Sequence, residues 1–105
     1  MTAREVQEQY ARNIILNAAK FFEVDLEELS LTGRNNRRNG IALWARVTIC
    51  IKMWTEGFSV NEIALLTGWN RTTVSGYIYE KYPELMTHKP YVMLWEQASK
   101  TSWVS

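Results

Sequence analysis

Apolar positions recur at helical spacing through most of the chain, and the breaks between them fall at turn residues. Val6, Tyr10, Ile14, Ala18 and Phe21 lie three or four residues apart and predict one face of a helix running from a Thr2–Glu5 capping box to about Phe22. Asp25 and Glu28 repeat the capping signal for a short helix ending near Leu31. The stretch Thr32 to Gly40, TGRNNRRNG, has turn residues at both ends and no apolar side chain, so it predicts a loop. From Ile41 to about Glu56 the chain is apolar on nearly every side, the pattern of a central helix packed by several others, and Gly57 closes it. Lys89-Pro90 predicts the start of a last helix reaching about Lys100, with the proline in its first turn. No alternating strand pattern is present, and the expected fold class is all-α: one compact helical domain, 1–105, with a C-terminal helical extension over about 83–105.

Between the central and last helices, residues 59–82 carry the densest local signals. Ser59 and Glu62 form a capping box, and Ile63, Ala64 and Leu66 give the helix that follows an apolar side. Gly68 stands where a left-handed turn is needed, and Asn70 suits the N-cap of a second helix of about 70–82, which Tyr82-Pro83 is expected to end. Val74, Tyr77 and Ile78 share one face of it, which turns Arg71, Thr72, Ser75, Gly76 and Tyr79 outward. Two short helices at a steep angle, the second with a small, polar, cationic outer face, form a helix-turn-helix suited to a DNA major groove.

Charge supports that reading through its distribution rather than its sum. The net charge is only +1, yet Arg34, Arg37, Arg38, Arg46 and Lys52 give residues 33–52 a charge of +5 with no acid among them. Arg34, Arg37 and Arg38 alternate with asparagines in the loop and suit phosphate or minor-groove contact. Arg46 sits in an apolar helix, so it either points to phosphate or pairs internally with an acid such as Glu62. Arg71 can offer a bidentate donor pair to guanine, while Thr72 and Thr73 suit phosphate. Asn70 reads as a cap ahead of a base reader. Trp44, Trp54 and Trp69 read as core, whereas an exposed aromatic C-terminal face around Trp95 and Trp103 would point to a homodimer or another partner.

Other chemistry finds little to stand on. His88 is the only histidine and has no second ligand near it, so neither a metal site nor an acid–base pair is expected, nor a cofactor, a small-molecule substrate or an enzymatic activity. Cys50, the single cysteine, lies in an apolar stretch and reads as a small buried hydrophobe; it fits a reducing, cytoplasmic setting. No apolar run approaches the roughly 18 residues of a membrane span. The expected partner is double-stranded DNA.

The order of elements from about Arg12 to Tyr82 resembles the C-terminal DNA-binding domain of the bacterial replication initiator DnaA. The likeness is carried by "AAKFFEVDLEELS", the arginine-containing loop, Ala45-Arg46 in the long helix, "SVNEIALLTG", and Thr72-Thr73-Val74, similar to that family's threonine-threonine-valine signature. It implies a Trp-repressor-like fold, Thr72 and Thr73 at bases or phosphates, and a loop arginine in the minor groove, Arg34 matching best and Arg37 or Arg38 next. The family has arginine, aspartate and histidine before the threonines, where this chain has Trp69, Asn70 and Arg71. An aspartate can accept from a cytosine amino group, whereas an arginine only donates, so preference for the family's usual DNA box is not expected. No G-x-x-x-x-G-K-[ST] loop occurs in these residues, so they hold no ATPase. The resemblance thus implies a stand-alone relative, of the kind a phage or mobile element carries, acting in replication or transcription. The rival class is a protein-interaction module on a helix-turn-helix scaffold.

Overall fold

The computed structural model describes residues 1–29 and 40–104, and among these it is helical without any strand. The first helix, α1 (Ala3–Phe22), starts at the predicted capping box: the Thr2 hydroxyl accepts from the Glu5 N–H and the Glu5 carboxylate accepts from the Thr2 N–H. Its buried stripe is Ala11, Ile14, Ala18 and Phe22, a fraction of a turn away from the predicted one, and this leaves Tyr10 exposed. Glu23 ends the helix in the left-handed region at φ 54, a conformation that L-residues other than glycine and asparagine adopt at a cost. A single 3₁₀ turn, Leu26–Leu29, then stands where a short helix was expected.

At the centre lies α2 (Gly40–Thr55), whose residues from Ala45 to Ile51 are all buried. It packs against α1, the 3₁₀ turn and the helices that follow it, which is why its sequence shows no polar side. The cost of burying its Thr48 hydroxyl is offset by a hydrogen bond to the Trp44 carbonyl at 2.8 Å. Because that bond uses Thr48's only proton, the Tyr91 hydroxyl, also at 2.8 Å, must be the donor in the Thr48–Tyr91 pair. Burial pushes the Tyr91 phenol up to about 12 and raises the Cys50 thiol well beyond the ordinary thiol range, so Cys50 packs as a small hydrophobe, as its sequence context implies.

Two helices follow: α3 (Val60–Thr67) and α4 (Arg71–Gly76). The second does not stop before Tyr82-Pro83. It widens into a π-turn, Tyr77–Lys81, and resumes as α5 (Tyr82–Leu85). The Tyr82 N–H reaches back five residues to the Tyr77 carbonyl. A proline within an α-helix lacks a donor and crowds the carbonyl four residues before it; the wide turn relieves that conflict, so the helix outlasts its proline. The last helix is α6 (Lys89–Ser99), with Pro90 in its first turn as expected.

Beyond α6 the chain folds back as a strap over α1 and α2. Asn13 and Asn17 of α1 donate to the carbonyls of Val104 and Trp103 at 2.8 and 3.1 Å. Lys52 donates to the Thr101 carbonyl at 2.9 Å and lies 4.9 Å from the Trp103 ring centre. Trp103 is only 4% exposed, so the aromatic C-terminal face that would have pointed to a dimer is not built on it; Trp95 is half-buried against Tyr82.

Candidate nucleic-acid interface

Local signals set α3 and α4 against each other across a short turn. The Ser59 hydroxyl accepts from the Glu62 N–H at 3.1 Å, and the Glu62 carboxylate accepts from the Ser59 N–H at 2.9 Å. The other Glu62 oxygen accepts from Gln7 of α1 at 2.9 Å, which docks α3 on the first helix. Hydrogen bonds from the Ser59 backbone, the Ser59 hydroxyl and Gln7 hold this carboxyl below the usual glutamate value. Gly68 turns the chain at φ 78, and Ile63 of α3 and Val74 of α4 are wholly buried in the core. Each such side chain contributes about 1.5–3 kcal/mol by leaving water.

Asn70 is the N-cap of α4: its side-chain oxygen accepts from the Thr72 N–H at 3.1 Å, so that oxygen is committed to the helix and base reading is not its first task. Arg71 and Thr72 are exposed, and Thr73 and Ser75 are half-buried beside them. Among the described residues Arg71 makes no ion pair, whereas Lys81 lies 3.7 Å from Glu84. Tyr79 is 59% exposed on the same helix and meets Trp54 of α2 edge-on, ring centres 4.9 Å apart. Trp54 is therefore not a core residue: at 38% exposure it buttresses a surface tyrosine.

Arg46 corrects the charge map. It is 3% exposed and cannot reach phosphate. Its partner is not Glu62 either. Nε donates to the Tyr77 hydroxyl at 3.0 Å and Nη1 to the Glu28 carbonyl at 3.0 Å. In the same corner Trp69 Nε1 donates to the Leu29 carbonyl at 3.1 Å, which confirms Trp69 as core. The 3₁₀ turn is thus pinned to the turn between α3 and α4 and to the helix after it. Lys52 is also turned inward, to the strap, and burial lowers its ammonium below the usual lysine value against the pull of Glu56. Two of the five cations in the acid-free segment serve the fold. The other three, Arg34, Arg37 and Arg38, lie outside the described residues.

Glu80 was missing from the sequence-based account of this surface. It is exposed on the outer side of the helix, and its Oε2 lies 3.8 Å from where a Cβ on Gly76 would stand. The four-residue spacing from Gly76 was the available signal. Elsewhere, no group of three metal-ligating side chains occurs among the described residues, and none of the described helices is long and apolar enough to cross a membrane. A groove of about 680 Å³ lies between α1 and α3, edged by the exposed leucines Leu16, Leu26 and Leu65. The chain matches no protein-family model, no curated protein and no solved structure.

Proposed function

We propose that this protein binds double-stranded DNA with sequence selectivity, placing the start of the helix Arg71–Gly76 in the major groove. The observation that carries the reading is an exposed arginine, without an ion pair among the described residues, opening the second helix of a two-helix unit with capped starts and a glycine turn. Thr72 and Thr73 beside it suit phosphate or base contact, and Tyr79 offers an aromatic edge held by Trp54. The arginines of the preceding segment would add backbone or minor-groove contact, as the DnaA resemblance implies. A role in replication or transcription belongs to the same proposal.

Salt tests it directly. With Arg46 and Lys52 engaged in the fold, Arg34, Arg37, Arg38 and Arg71 remain. Log affinity should then fall against log salt with a slope of about −3 to −4, shallower than the −4 to −5 that about five phosphate contacts would give. A filter-binding titration with no salt dependence would end the reading. Binding to a DnaA box is expected to be no tighter than to its scramble.

A second reading has its own observation. The groove edged by Leu16, Leu26 and Leu65 also carries Arg4, Glu8 and Arg12, a mix of apolar and charged side chains that suits an amphipathic helix and favours a protein partner bound away from Arg71. Partner binding there would survive salt concentrations that dissociate DNA.

A further inference from the structure

Gly76 occupies the interior of the groove-facing helix without any conformational need for glycine. Its φ of −62 and ψ of −38 are those of any α-helical residue. Packing does not require it either: apart from its chain neighbours and the adjacent helix backbone, the one heavy atom among the described residues within 4 Å of an added Cβ is Glu80 Oε2, one turn on in the same helix, at an ordinary contact distance of 3.8 Å. Glycine in a helix interior is destabilising relative to alanine, so the absent side chain calls for something approaching from outside. What it leaves is a notch on the outer side of the helix, with a carboxylate at its edge.

That carboxylate is uncommitted. Among the described residues Glu80 has no ion pair or side-chain hydrogen bond, and the neighbouring Lys81 is spent on Glu84. An acid facing a duplex is repelled by phosphate, and only a donor on a base edge offsets that. Two bases present an amino group in the major groove. Adenine sets its own next to the N7 acceptor, which repels a carboxylate, whereas cytosine presents N4–H₂ beside a C–H.

We propose that Gly76 and Glu80 together form a cytosine-reading notch, with Glu80 accepting from the N4 amino group and Gly76 letting the base edge approach the helix. This rests on the DNA-binding reading above and names a specificity element within it. Selection from a random duplex pool, with the full chain, tests it. The unaltered protein should favour cytosine at one position by about five- to hundredfold. Glu80→Gln, which both donates and accepts, should move that preference to adenine. Gly76→Ala should raise the melting temperature by a few degrees and yet weaken binding to the selected duplex at least tenfold, a pair of opposite signs that a folding defect cannot produce. If Glu80→Gln selects the same site as the unaltered protein, or Gly76→Ala binds equally tightly, the notch is refuted while the DNA-binding reading stands. If the unaltered protein enriches no duplex at all, both fall.

Discussion

Replacing Tyr77 by phenylalanine removes a single oxygen from the interior and tests whether the buried guanidinium of Arg46 belongs to the fold. Both residues are buried, and the bond from Arg46 Nε to the phenol is 3.0 Å long. A hydrogen bond from a charged donor contributes about 1.5–3 kcal/mol, and here its loss also strands a buried N–H. The expected destabilisation is about 2 kcal/mol, which for a domain of this size lowers the melting temperature by about 8–10 °C. Thermal or urea unfolding followed by circular dichroism would measure it. The decisive arm is the double-mutant cycle with Arg46→Met. Once the guanidinium is gone, Tyr77→Phe should cost almost nothing, so the coupling energy should approach the full 2 kcal/mol. Arg46→Met should also leave the salt slope of DNA binding unchanged. A Tyr77→Phe penalty below about 0.5 kcal/mol, or one of equal size in both backgrounds, would refute the structural role. A slope reduced by about one on losing Arg46 would show that it reaches phosphate after all.

Three further outcomes are expected. Arg71→Ala should weaken binding to a preferred duplex by about 1–3 kcal/mol and relax base choice at one position; equal weakening on preferred and random duplexes would deny it a base-reading role. Glu62 is held below its ordinary value of 4.5, so the stability its ionised form contributes is complete above that pH and is lost as pH falls through the lower folded value. Melting temperatures between about pH 5 and pH 3 should therefore fall more for the unaltered chain than for Glu62→Gln, which keeps the capping box but not the charge. Glu23→Gly should stabilise the protein by about 1 kcal/mol by relieving the left-handed residue at φ 54, and an unchanged midpoint in urea would contradict that.

What could be read ahead of the structure was what depends on near neighbours. Ser59 with Glu62, Gly68 and Asn70 act within a few residues of themselves, and the turn they build is the one their spacing predicts. Arg46 was ambiguous because its partners are a tyrosine 31 positions away and a backbone carbonyl, neither of which charge counting can find. Trp54 and Trp103 look alike as apolar residues, yet one is a surface buttress and the other is buried; only the path of the strap decides between them. The rule by which Pro83 predicts a helix end assumes α geometry, and the π-turn before it sets that assumption aside. Arg34, Arg37 and Arg38 remain sequence-based candidates.

The strap over α1 makes the chain a closed ring, its two longest-range hydrogen bonds joining residues 91 and 86 positions apart. By chain length alone, closing a ring of that size costs more entropy than the other hydrogen bonds described for the fold, so the strap is expected to form late and to open before the helices melt. Trp103, seated 5.6 Å from Phe21 and beneath Lys52, loses both neighbours when the ring unlatches. The fluorescence difference between the unaltered chain and Trp103→Phe, which cancels the other four tryptophans, should shift at denaturant concentrations where the helical circular-dichroism signal is still intact. The surface that carries Arg71 would thus be held by a part of the molecule that keeps its shape while the rim breathes.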